Sequence, residues 1–341
     1  MSQISDPIVS ADLEVLRRLS EGSPLSGRRV LVTGGSGFIG SWLCDLFVAE
    51  GASVTCLDDM STGILGNISH LRGQPRFKFI RANVASQSSQ DLKCDLILHL
   101  ASHPSPEEYG QHPVESLAAN SQGTLNMLEI ARANDATLLF TSSSEVYGDA
   151  QIVPTPESYW GNANPIGPRS CYDEGKRFGE ALCMAYFRQY GVDVRLVRIF
   201  NSYGPRLRAD GLYARALSRF IMQALSNSDL TVYGNGLQTR SFSYVTDTIR
   251  ALLLTSVRRG LKAQVLNIGN PNEVSIRQLA ETIIKLTSSS SKIVYQSRPV
   301  DDPQRRCPDI SRAKALLTWT PHVDLEGGLS KTIKWFAAKT R

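Results

Sequence analysis

Residues 28–51 read RRVLVTGGSGFIGSWLCDLFVAEG, and this stretch decides the fold. A short β-rich run, Arg29 to Thr33, passes through a glycine turn into a helical stretch that ends near Gly51. Gly34, Gly37 and Gly40 recur at every third position across the junction. That spacing lets backbone approach a pyrophosphate at a helix N-terminus, where unpaired N–H groups and the helix dipole favour an anion. The next β-run, Ser53 to Leu57, leads into Asp58. A carboxylate there can accept hydrogen bonds from both ribose hydroxyls of NAD and would repel the extra phosphate of NADP. The stretch therefore predicts an NAD site built from Gly34, Gly37, Phe38, Ile39, Gly40 and Asp58. Asn83, after the third β-run, is a candidate for the adenine or simply a turn asparagine, and Leu100 is a further candidate cofactor contact.

Outward from this unit the pattern repeats. Short β-runs recur at Phe77 to Arg81, Leu96 to Leu100, Thr137 to Thr141 and Asp193 to Ile199, with helical patterns between most of them, as at Val114 to Asn134 and Tyr172 to Tyr190. Such alternation predicts an α/β fold, a Rossmann-type doubly wound parallel sheet. Beyond Gly204 the pattern is punctuated by Pro, Gly and aromatic residues. The expected organisation is an accessory segment (1–26, amphipathic from Ala11 to Leu19), an NAD-binding domain (27–203, with later segments returning to it) and a smaller C-terminal substrate-binding lobe (204–341).

Composition narrows the function. The 341 residues are 42% hydrophobic and 20% charged with a formal net charge of +5, as expected of a soluble globular chain. Lysines and arginines are scattered, so no nucleic-acid stripe is present. No apolar run is long enough for a membrane span and no secretory signal is visible. The six cysteines are dispersed without metal-ligand spacing and read as reduced thiols of a cytoplasmic protein, with no metal.

Three further stretches carry chemistry. In CYDEGKR (171–177), Tyr172 and Lys176 stand at i and i+4 and share a helix face. A lysine beneath a tyrosine favours the phenolate, which can remove a proton from a sugar hydroxyl and return it. TSSSEVYG (141–148) follows a β-run, which places Ser143 at a strand's carboxyl end as a partner for the same hydroxyl, with Glu145 close by. RIFNSYGPR (198–206) ends another run with Asn201, an amide able to grip a sugar or phosphate oxygen.

Together with NPIGPRSCYDEGKR (164–177), LTVYGNGLQTRSFSYVTD (230–247) and DDPQRRCPDI (301–310), these stretches resemble the UDP-glucuronate decarboxylase (UDP-xylose synthase) family of extended short-chain dehydrogenases/reductases, from about Val30 to Trp335. The resemblance implies NAD used catalytically. Tyr172, with Ser143 and Lys176, takes the C4 hydroxyl proton as hydride leaves C4. The resulting 4-ketone lies β to the carboxylate, carbon dioxide is lost to leave an enolate, the enolate is reprotonated at C5, and the retained NADH reduces C4 again. It implies that Arg240 holds the carboxylate, and that Glu145 positions the sugar and a water or moves a proton. For the UDP end it points to Arg206, Arg215 and Arg305 or Arg306 at the pyrophosphate, Val232 and Tyr233 at the uracil, and Tyr109 on the substrate side. It also implies a homodimer through the helix bearing Tyr172, whose Phe178, Leu182 and Tyr186 suit such packing or the core. The chain departs from the family at ASHPSP (101–106), which introduces His103, at Asn83, and at DGLYARALSRF (210–220), read as a three-residue insertion that keeps Arg215. The alternative reading is a UDP-sugar 4-epimerase, since both reactions use Ser143, Tyr172 and Lys176. A 4,6-dehydratase would carry an Asp-Glu pair where Ser144 precedes Glu145. A non-catalytic NAD-binding scaffold would not need Tyr172, Lys176 and Asp58 together.

Overall fold

The strand–turn–helix pattern of residues 28–51 is borne out and becomes the centre of the molecule. The computed structural model describes residues 4, 6–19, 24–86, 92–211 and 215–339. The first half comprises α1 (Pro7–Leu19), β1 (Arg29–Thr33), α2 (Phe38–Ala49), β2 (Ser53–Asp58), β3 (Phe77–Arg81), β4 (Leu96–His99), α3 (Pro106–Gln111), α4 (Pro113–Asn120), α5 (Gln122–Asn134), β5 (Thr137–Ser143) and α6 (Ser170–Tyr190). After it come β6 (Val194–Ile199), β7 (Ser202–Tyr203), α7 (Ala216–Leu225), β8 (Leu230–Tyr233), β9 (Thr239–Ser241), β10 (Ser243–Tyr244), α8 (Val245–Val257) and β11 (Val265–Ile268). The chain ends with β12 (Glu273–Ser275), α9 (Ile276–Thr287), β13 (Ile293–Gln296), β14 (Arg305–Arg306), α10 (Ser311–Leu317) and α11 (Leu325–Lys339).

Seven strands form one sheet in the order β11-β6-β5-β4-β1-β2-β3, and every pairing within it is parallel. Such a sheet is covered on both faces, so its strands read as apolar runs. Alternate side chains feed two separate cores. Val30, Val32, Val54, Leu96 and Leu98 pack with α1, α2 and α8. Leu31, Leu57, Ile97, Leu138 and Phe140 pack with α5 and α6. The strand order reverses between β1 and β4, and a doubly wound sheet opens its ligand crevice at the carboxyl ends of such a pair. After β6 the chain enters the lobe, returns through β11 to the edge of the main sheet, and then completes the lobe's small sheets β12-β9-β14 and β13-β8.

The helical stretch expected over 114–134 divides in two. The division falls at Ser121, whose hydroxyl donates to Leu117 O at 2.7 Å alongside its own backbone N–H at 2.9 Å. Residues 212–214 of the DGLYARALSRF insertion lie outside the described residues. No helix among the described residues is long and apolar enough to cross a membrane.

Candidate active site

The crevice is closed at its base by the glycine turn. Gly34 has φ +67°, and a Cβ there would stand 2.9 Å from Ala101 N, so the turn presses against the end of β4. A Cβ on Gly40 would stand 2.2 Å from Gly34 O, which leaves that position to glycine. Thr33 Oγ1 ties the two strand ends together by accepting from Leu100 N at 3.1 Å and Ala101 N at 3.2 Å. Buried Asp58 stands at the end of β2, where one oxygen accepts from Ser36 N and the other from Met60 N, each at 2.9 Å. Each oxygen retains a further lone pair. A side-chain-free cradle at a helix N-terminus, with a fixed carboxylate one strand over, fits a dinucleotide.

Above the turn runs a cleft of about 830 Å³, within the range of small-molecule sites. Gly34, Gly37, Phe38, Ile39, Gly40, Asp58, Asn83 and Leu100 line one end, and Tyr109, Ser143, Glu145, Tyr172, Lys176, Asn201, Arg215, Tyr233, Arg240 and Arg306 line the rest. The exposed Asn83 is committed to its own turn: Oδ1 accepts from Ala85 N and Nδ2 donates to Asp59, both at 2.8 Å.

Tyr172 and Lys176 lie in the first turns of α6. This helix runs so close to β5 that a Cβ on Gly179 would stand 2.4 Å from the Phe140 ring. Lys176 is thereby buried, donates to Thr141 O at 2.9 Å, and sits 5.7 Å from the Tyr172 ring centroid. Burial pulls its pKa down to about 7, against the Glu180 carboxylate. Burial also pushes the Tyr172 phenol up to about 12, although the Arg215 guanidinium and a hydrogen bond with Ser143 act to lower it. The rings of Tyr109 and Tyr172 stack at 5.3 Å with 11° between planes, and among the described residues the buried Tyr109 hydroxyl has no hydrogen-bond partner.

Beyond Tyr172 lies a charge network. Glu145 accepts from Arg169 at 2.7 Å and from both terminal nitrogens of Arg306, Nη2 at 2.8 Å. Burial works against its charge, but the Arg306 and Arg169 guanidiniums outweigh it and hold the carboxyl far below its usual range. An ionised carboxylate held this way accepts hydrogen bonds and does not donate a proton. Buried Arg240 donates to Thr239 O at 2.8 Å and to Asp302 at 2.9 Å. Burial draws its pKa down, with Asp302 opposing. Arg169, Arg240, Arg298 and Arg306 outnumber Glu145 and Asp302, so the network is net positive. Asp173 shows which force prevails in this region. It stands in the first turn of α6, where the dipole favours a carboxylate, yet burial and then Glu145 push it up to about 7.

Three residues expected at the substrate are placed elsewhere. Arg206, at φ +73°, turns inward to pair with Asp45 at 2.7 Å and lies 5.4 Å over the Trp42 ring. Val232 is buried in the core because strand alternation sends only its neighbour Tyr233 to the cleft. Arg305 is the outward residue of β14 and pairs with Glu273, whereas Arg306 is buried beside Glu145. Tyr186 is buried with its hydroxyl on Glu129, and of the proposed dimer face only Phe178, at 51%, is exposed. Arg169, Arg208, Arg219, Gln238 and Asp302 also line the cleft, although the sequence reading did not single them out. Arg169 and Asp302 each lay inside a quoted motif, NPIGPRSCYDEGKR and DDPQRRCPDI, and that was the available signal.

The class follows from this arrangement. The chain belongs to the NAD dependent epimerase/dehydratase family, which residues 30–269 match. It is 47% identical over 309 residues to UDP-glucuronic acid decarboxylase 1 of Xenopus tropicalis, covering 91% of this chain and 72% of that protein. It is 44% identical over 308 residues to UDP-glucuronic acid decarboxylase 1 of Arabidopsis thaliana, covering 90% and 69%. By these likenesses its place in the family is among the UDP-glucuronic acid decarboxylases. Among solved structures, UDP-glucuronic acid 4-epimerase from Bacillus cereus, in complex with UDP-glucuronic acid and NAD, superposes with a TM-score of 0.81 at 29% identity, over 92% of this chain and all (100%) of that one. UDP-glucose 4-epimerase from Thermotoga maritima gives 0.83 at 27%, over 92% and 100%.

Proposed function

We propose that this protein converts UDP-glucuronate to UDP-xylose by decarboxylation, using NAD held on the glycine turn and Asp58. The observation that carries the reading is the buried Arg240, which lines the same cleft as Tyr172 and Ser143 within a net-positive network. A uronate brings a negative charge to this net-positive end, and a guanidinium fork matches a carboxylate. NAD, when bound, supplies the reversible oxidation at C4. Tyr172 takes the C4 hydroxyl proton and later returns it, with the Lys176 ammonium below its ring stabilising the phenolate. Ser143 and Tyr172 donate to the C4 oxygen, so they stabilise the charge arriving there when the bond to the carboxylate carbon breaks. Arg240 fixes the carboxylate. Glu145 holds Arg306 and Arg169 in place. Arg215 and Tyr233 receive the UDP end.

The identity to curated decarboxylases supports carbon dioxide loss over epimerisation, whose solved examples are more distant. We also assign residues 27–203 with β11 to the cofactor and most of 204–341 to the nucleotide sugar. A second copy would cover the α4–α6 face, where Val114, Leu117 and Phe178 are exposed. The test is incubation with UDP-glucuronate and NAD followed by mass spectrometry of the nucleotide sugar. A UDP-pentose is expected. A product of unchanged mass and altered stereochemistry would make the protein an epimerase.

A further inference from the structure

One charged pair in the cleft has no part in the reaction described above. His103 stands in the turn after β4, lines the cleft and is 8% exposed. Its Nδ1 is in hydrogen-bond contact with Oε1 of Glu108, a residue of α3 that is 2% exposed. Among the described residues Glu108 is the ring's one hydrogen-bond partner, which leaves Nε2 without an acceptor. That nitrogen keeps access to solvent, and so to a ligand entering the cleft.

We propose that His103 is an anion-binding residue of this cleft: Glu108 holds the ring as an imidazolium, and Nε2–H is offered to an oxygen of a diphosphate ester. The inference rests on the nucleotide reading of the cleft. Three features of the surroundings support it. The turn begins at Ala101, whose backbone abuts Gly34, so His103 is carried beside the glycine cradle. On its other side, Pro104 O accepts from Arg215 Nη2 at 3.3 Å, which brings a second cation to the same turn. Burial works against a charge on the ring, but Glu108, with Asp59 and Glu115, outweighs it and raises the pKa above the ordinary histidine value. The pair thus favours the imidazolium over the neutral ring. With Nδ1 committed to Glu108, both the ring's orientation and the nitrogen left for a ligand are fixed. The diphosphate can belong to the dinucleotide or to the nucleotide sugar, and the ligands below separate the two.

The test is calorimetric titration of the full chain with NAD and, separately, with UDP-xylose, between roughly pH 5 and 8, where histidine changes charge. Neither diphosphate diester titrates there. Binding of one ligand should weaken by about tenfold as pH rises and the charge-assisted hydrogen bond is lost. Lys176 and Asp173, both at about 7, also titrate in this window, so the ligand whose pH dependence His103→Gln lessens identifies the diphosphate. His103→Gln should remove only the part of the dependence that the ring carries, because the amide is never charged. Glu108→Gln should keep the dependence but move its midpoint to lower pH, a shift that a purely structural pair would not produce. If His103→Gln misfolds, Glu108→Gln alone still decides. Affinities independent of pH in the wild-type chain, or a pH slope unchanged in both variants, would overturn the role of His103 and leave the nucleotide reading standing. Failure of the wild-type chain to bind either ligand would overturn both.

Discussion

Arg240 and Lys176 are both buried cations, and their pairing dictates opposite outcomes on removal. Arg240 is satisfied by Thr239 O and Asp302 and still presents N–H groups to the cleft. Arg240→Lys keeps the charge and loses the fork, and these two side chains are not interchangeable at such a site. Decarboxylation of UDP-glucuronate should fall by roughly 10²–10³ in kcat/KM, the loss typical of one transition-state donor. Binding of UDP-xylose, which has no carboxylate, should change little. Equal weakening for both nucleotide sugars would show that Arg240 does not read the carboxylate. Lys176 has one carbonyl partner and is driven down to about 7 by burial. Its folded-state pKa lies below its unfolded value of 10.5, so the cost of burying the charge is fully present below pH 7 and fades as pH rises towards 10.5. Lys176→Met should therefore abolish turnover yet raise Tm at pH 7 by a few degrees, the effect of about 1 kcal/mol or more. The gain should shrink as the pH is raised through that window. A lower Tm at pH 7 would mean that the ammonium stabilises the fold.

At the scale of elements, Asp302 joins the lobe to the catalytic helix. It accepts from Arg240 at 2.9 Å, and its carboxylate lies 3.9 Å from Arg169 and 3.8 Å from Arg298. Asp302→Asn retains an acceptor for Arg240 and removes a negative charge from the end assigned to the uronate. UDP-glucuronate should bind at least severalfold more tightly, since two unit charges about 4 Å apart exchange ~1 kcal/mol even in water-like dielectric. Binding of UDP-xylose should be unaffected. Calorimetry with the two ligands checks this, and tighter binding of both would assign the effect to the loop instead of the charge. The elements also show where a sequence can be read and where it cannot. β1, the glycine turn and α2 were legible because their signal is local: apolar run, glycine spacing, apolar run. Arg305 and Arg306 could not be told apart, because β14 is two residues long and takes its facing from pairing with β9. Val232 was misplaced for the same reason: a motif names it with Tyr233, and strand alternation admits only Tyr233 to the cleft. Arg206 was missed because its partners, Asp45 and Trp42, come from α2, far away in the chain.

Across the whole molecule, the segment expected to be accessory is built into the core. α1 begins at Pro7, earlier than the amphipathic run from Ala11 to Leu19 indicated, because Asp6 Oδ1 accepts from Ile8 N and Val9 N at 3.0 and 3.1 Å and starts the helix. Periodicity identified the helix; the surface it would bury was beyond the reach of local pattern. Val9, Leu13 and Leu16 pack with α2 and α8 in the main core. Asp12, 2% exposed, accepts from the Tyr244 hydroxyl and from Lys331 Nζ, both at 2.5 Å. One buried carboxylate thus links the first helix to the residue preceding α8 and to α11, elements from opposite ends of the chain. Burying three aliphatic side chains contributes about 1.5–3 kcal/mol each as an upper estimate, and removing Asp12 leaves Tyr244 without its acceptor. A chain beginning at Pro24 should therefore melt about 10 °C or more below the full chain. No residue of α1 lines the cleft, so below its transition the shortened enzyme should turn over UDP-glucuronate within about twofold of the full chain, as expected for a change remote from the site. Asp12→Ala should reproduce part of the thermal loss with the same unchanged turnover. Melting temperatures within two degrees or so of the full chain would mean that α1 rests on the core without stabilising it, and a large loss of turnover at low temperature would mean that the helix holds the cleft in shape.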